Sequence, residues 1–112
     1  MASPLNVFKT VTAELSDSNS IIYTAPSGFT GIILMAQASN VSSGTEQITF
    51  SHYDTSIPRE TELVKDFDIP SADAAGLITG KLVLETGDSV RGFASTASTI
   101  KITLSVLESL NE

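Results

Sequence analysis

Few residues in this chain have the types and spacing that chemistry requires. The one histidine, His52, stands in the run ITFSHYDT. Acid–base work there needs a nucleophile or a proton-accepting partner held beside it. No G-x-S-x-G elbow and no H-E-x-x-H pair surrounds it. A surface position on a strand or at a strand end is the simpler account. Asp66 and Asp68 stand two apart, so on a strand both carboxylates leave the same face. With Asp54 or Asp73 they could form an oxygen cage for Ca²⁺. No D-x-[DN]-x-[DN]-G loop accompanies them, and a charged strand edge that resists aggregation accounts for the same residues. Glu60 and Glu62 repeat the spacing and take the same explanation.

Other motifs are thinner. Asn40-Val41-Ser42 matches the N-glycosylation pattern, a triplet that arises often by chance, and no secretion signal supports it. A sugar-stacking platform has only Tyr23 and Tyr53 to draw on, because the chain has no Trp. Phe8, Phe29, Phe50, Phe67 and Phe93 fall in alternating runs, where core packing explains them. No G-x-x-x-x-G-K-[ST] loop cradles a phosphate. With no cysteine, the chain can form neither a disulfide nor a thiolate metal site. No catalytic, cofactor-binding or metal-ligating residue is assigned, and no cofactor is expected.

Thirteen acidic residues against six basic ones give a formal net charge of −7. That field repels phosphate backbones and anionic lipid, so neither nucleic acid nor membrane is an expected partner. The start MASPLNVFKT has no basic and apolar signal-peptide regions, and no apolar run is long enough to span a bilayer. The expectation is a soluble chain without a standard export signal.

The elements that must position these side chains are strands. Val, Ile and Thr recur in alternating runs, and turn signals come at the spacing of a sandwich or barrel. Predicted strands cover residues 6–15, 21–25, 29–39, 45–54, 60–69, 81–85, 89–94 and 99–107. The third, containing GIILMA, reads as central, and the fourth follows it in hairpin register. In the fifth, Leu63 and Phe67 are expected to be buried and Glu62, Asp66 and Asp68 to face out. Residues 70–80 read as a crossing between sheets, with room for one helical turn capped by Ser71. The last three strands read as a meander, with Gly87 at a tight hairpin. In the final strand Ile100, Ile102, Leu104 and Val106 share one face, opposite Lys101, Thr103 and Ser105. The fold class expected is all-β, an antiparallel β-sandwich of jelly-roll or Ig-like type with about seven or eight strands. The 112 residues suit one domain, and residues 1–6 form a candidate N-terminal arm that reaches a neighbour.

The segments IIYTAPSGFTGIILMAQASN and GKLVLETGDSVRGFASTASTIKITLSVLE resemble small virion structural proteins of tailed bacteriophages. In that group a YTAPSG-type turn leads into an apolar strand, and a KLVLETGDSV hairpin precedes a last alternating strand. The resemblance implies structural roles for Pro26 and Gly28 at the turn, for Gly80 before the hairpin, and for Gly87 and Asp88 at its tip. It implies a non-enzymatic protein located in the virion and made in the host cytoplasm. Its partners would be the major capsid protein or other virion proteins, with further copies of itself in a homo-oligomer. Head decoration (cement) is the favoured role. A tail, baseplate or fibre module is the alternative, and a carbohydrate- or Ca²⁺-binding module comes after both.

Overall fold

Alternating apolar residues and frequent turn signals resolve into nine strands, with no helix among the described residues. The computed structural model describes residues 6–111. The strands are β1 (Asn6–Glu14), β2 (Ser20–Thr24), β3 (Phe29–Asn40), β4 (Glu46–Asp54), β5 (Arg59–Ile69), β6 (Ala74–Gly76), β7 (Leu82–Leu84), β8 (Ser89–Ala94) and β9 (Ile100–Leu110). One sheet has the order β1-β9-β3-β6, with β7 also on β3. The other has the order β2-β8-β4-β5. Every pairing is antiparallel.

The pairings are nested. β1 meets β9, β2 meets β8, β3 meets β6 and β7, and β4 meets β5. This is one long hairpin, folded at residues 55–58 and rolled so that successive strand pairs alternate between two sheets. That is the jelly-roll arrangement of an all-β sandwich. β6 and β7 are two pieces of one strand position against β3, which accounts for nine strands where seven or eight were expected.

Between the sheets lie Ile33, Ala36 and Ala38 of β3, Ile48 and Phe50 of β4, Val90 and Ala94 of β8, and the four aligned residues of β9. Each large side chain buried there contributes about 1.5–3 kcal/mol of transfer free energy. The face predicted for Ile100, Ile102, Leu104 and Val106 is the buried one.

Strand partners depart from the sequence reading. β3 and β4 lie in different sheets, so the hairpin register expected between them does not form. Nor do the last three strands make a meander: β7 and β9 belong to one sheet and β8 to the other. Gly87 has the left-handed φ of 89° that a tight turn needs, as Gly28 does at 83° after Pro26. The Gly87 turn, however, carries the chain across the sandwich. The crossing over residues 70–80 is present, since β5 and β6 lie in opposite sheets. It contains no helical turn. The Ser71 hydroxyl, expected to cap one, donates to the Ser42 carbonyl at 2.7 Å.

β5 also differs. Its register against β4 shifts twice, and Asp66 takes a φ of 50°. These bulges rotate the strand out of simple alternation. Leu63 and Phe67, expected in the core, are exposed, while Val64 packs against it. Phe8, assigned to packing, is 74% exposed. Of the candidate arm, residues 1–5 lie outside the described residues, and Asn6 begins β1.

Candidate functional site

The turn between β7 and β8 sets Asp88 under the β4–β5 loop. Its Oδ1 accepts from the Thr55 amide and hydroxyl, both at 3.1 Å, and its Oδ2 accepts from the Glu85 amide at 3.2 Å. Its carbonyl accepts from the Ala25 amide at 2.9 Å, and the Gly87 amide donates to the Ala25 carbonyl at 3.1 Å. Asp88, by its carboxylate and its backbone together, and the neighbouring Gly87 amide thus tie three connections together. Asp54 and Glu85 bring their carboxylates beside it, with the oxygens within 4.8 Å of one another. Among the described residues this is the acidic group the fold assembles. Asp66, Asp68 and Asp73 are not part of it. Asp54 also accepts from the Ser56 amide and hydroxyl at 2.9 and 2.6 Å, which lowers its carboxyl below the usual range. The oxygens of Asp54 and Asp88 are therefore already engaged in holding turns.

His52 borders this group and is more buried than a surface strand residue, because β8 and β5 flank β4. Its Nε2 stands 3.7 Å from Asp88 Oδ2, beyond hydrogen-bond distance, and has no other partner. Among the described residues no hydroxyl is hydrogen-bonded to its Nε2.

A second polar group lies at the same end of the molecule, where β1, β9 and β3 meet β2. Glu108 is buried, with Oε2 accepting from the Tyr23 hydroxyl at 2.6 Å and Oε1 3.1 Å from Lys9 Nζ. Burial, followed by the hydrogen bond to Glu108 and the charge of Glu108, raises the Tyr23 hydroxyl well above its ordinary pKa. Tyr23 is thus unavailable as a sugar platform. Tyr53 is no better placed, since the Arg91 guanidinium lies over its ring at 3.9 Å and is held by Glu60 at 3.5 Å.

Asn40 is buried and spends both donors of its amide on the Gly44 and Ile69 carbonyls, each at 2.8 Å, while its Oδ1 accepts from Ser42. The nitrogen of the glycosylation triplet is thereby committed to the β3–β4 connection.

What remains is surface. Register aligns Phe8, Leu107, Ile32 and Val83 side by side across β1, β9, β3 and β7 on the outer face. The rest of that face carries Ser and Thr together with Asn6, Met35 and Gln37, with Glu14 and Lys101 at the far end. β1 and β5 are the long edge strands. β5 is bulged and acidic, whereas β1 is regular. Glu108 could have been found in the sequence by carrying the parity of Ile100–Val106 one step further. Asp88 and Asn40 gave no such signal, because each has a decisive partner distant in the chain, Thr55 for the one and Ile69 for the other.

No protein-family model matches this chain, and no curated protein matches it. Among solved structures, the fold is similar to that of a chain from the disulfide-linked pili of Bacillus endospore appendages. That likeness has a TM-score of 0.56 and 12% identity, over 96% of this chain and 88% of that one. It is similar also to a chain of the capsid of Helicobacter pylori bacteriophage KHP30. There the TM-score is 0.55 at 11% identity, over 99% of this chain and 92% of that one. At such identities the likeness establishes the fold: this chain is an all-β sandwich of the kind these two assemblies contain.

Proposed function

We propose that the chain is a non-enzymatic structural protein of a virion, seated on coat subunits as a decoration or cement protein. The observation that carries this reading is the near end-to-end likeness to a phage capsid chain, 99% of one over 92% of the other. The chemistry is consistent with it. The buried Asp88, Glu108 and Asn40 hold turns and strands, and the surface offers edges, loops and an apolar row. A net charge of −7 suits the outside of a particle, away from packaged DNA. Binding by many symmetric copies lets each contact be modest.

The likeness to a pilus chain favours a second reading, in which the sandwich repeats along a tail or other filament. With no cysteine, such a filament would be held without disulfides. Electron microscopy of purified particles separates the two. Density for this sandwich on the head, at a copy number matching the coat lattice, supports decoration. Density confined to the tail supports the second reading, and absence from the particle overturns both.

A further inference from the structure

The open edge of β1 has a hydrogen-bonding phase that can be read from its neighbours. The Leu15 amide donates to the Ile100 carbonyl at 2.9 Å, and the Val41 amide to the Thr99 carbonyl at 2.9 Å. Residues of β9 thus turn alternately to β1 and to β3, as an antiparallel ladder requires. The β1–β9 register runs unbroken from Asn6↔Ser109 to Glu14↔Lys101. Counting back in twos from Leu15, the residues that bond to β9 are Ala13, Val11, Lys9 and Val7. The amides and carbonyls of Asn6, Phe8, Thr10, Thr12 and Glu14 therefore point away from β9, where no described strand meets them.

We propose that this edge pairs with the same edge of a second copy, antiparallel about a two-fold axis at Thr10, joining two sheets into one. Three features single out a second copy as the occupant. The open residues are symmetric about Thr10: full overlap sets Asn6 against Glu14, Phe8 against Thr12 and Thr10 against itself, so every outward group meets an outward group. In this register no like charges are opposed. Lys9 faces Val11 and is already held by Glu108, and Glu14 faces Asn6. A slip of two residues in one direction opposes Lys9 to itself, and a slip of one mismatches donors and acceptors. Finally, β1 lacks the devices that protect an edge. It is nine residues long and bulge-free, and it carries one acid and one base in a chain of net charge −7. The opposite long edge, β5, has two register shifts and a run of acids.

The inference stands apart from the virion reading, because it concerns the purified chain alone. Thr10→Pro removes only an outward amide, and proline is tolerated on an edge strand at such a position. At about 100 µM, sedimentation equilibrium should give twice 11.8 kDa for the parent chain. Thr10→Pro, with its β-sheet circular dichroism retained, should dimerise at least about 30-fold more weakly through two lost hydrogen bonds. Thr10→Lys, which opposes two lysines across the axis, gives the same reading should the proline variant misfold. Amide exchange reads the phase directly: Phe8, Thr10 and Thr12 should gain protection with concentration, while Lys9 and Val11 are protected throughout. A parent chain that stays monomeric, or a dimer in which these three amides exchange freely, overturns the proposal. So does protection that arises only when coat subunits are added, an outcome that leaves the decoration reading intact.

Discussion

Glu108 is a carboxylate in an apolar layer, and it persists there because Tyr23 and Lys9 both reach it. Tyr23→Phe removes one of those partners and should cost about 1–3 kcal/mol in urea denaturation at pH 7. The same contact has a pH signature. The folded chain keeps the Tyr23 proton beyond its ordinary pKa of 10.0, whereas the unfolded chain releases it there. Stability contributed by the protonated hydroxyl is therefore complete below pH 10 and falls as pH rises, by up to about 1.4 kcal/mol per unit. Tyr23→Phe should lack that part of the alkaline slope. Equal slopes for the two proteins would show that the hydroxyl is not held as described. Asp88 makes a different prediction. Its oxygens already accept from Thr55 and Glu85, so Asp88→Ala should cost about 2–4 kcal/mol, and Asp54→Ala, at a more open carboxylate, clearly less. Millimolar Ca²⁺ should leave Tm unchanged. Stoichiometric heat on titrating Ca²⁺ would instead make the Asp54–Glu85–Asp88 group a site.

Among the elements, β5 shows where strand logic bends. The Asp66 amide donates to Thr49 Oγ1 at 3.1 Å while its backbone sits at a φ of 50°, a region costly for side chains with a Cβ. Asp66→Gly should equal or exceed the parent in stability, and Asp66→Val should fall below it by about 1–2 kcal/mol. A valine variant as stable as the glycine one would remove strain from the account. This bulge is also why Leu63 and Phe67 were misplaced, since period-two reasoning assumes an unbroken ladder and nothing in VKDFD marks the extra residue. Faces were legible where a regular strand also had one consistently apolar side, as in β9, whereas Phe8 on the equally regular β1 was read to the wrong side. Partners were not legible. Alternation records which side of a strand meets the core, whereas neighbours follow from how the long hairpin rolls. A Gly-Asp turn looks the same whether it joins paired strands or crosses the sandwich. The polar groups around Asp88 and Asn40 were hidden for the same reason, because each depends on connections brought together only by that roll.

On the scale of the whole molecule, charge and edge act against each other. Each copy carries −7, and its Cα trace extends 49 × 28 × 22 Å. Two copies joined along β1 lie side by side, so their bodies repel over distances comparable to the Debye length, about 30 Å at 0.01 M salt and about 10 Å at 0.1 M. The backbone ladder itself is little affected by ions. Added salt should therefore tighten self-association. If the proposed seating on a coat uses the acidic surface against a basic face, attachment has the opposite sign, because there the same charge attracts and salt screens the attraction. Sedimentation of the chain alone and co-sedimentation with particles, both between about 20 and 300 mM NaCl, measure the two responses separately. Opposite slopes are expected. A dimer that loosens with salt would mean that charged side chains, and not the β1 ladder, hold the copies together. Attachment insensitive to salt would shift the coat contact from the acidic surface to the uncharged row of Phe8, Leu107, Ile32 and Val83.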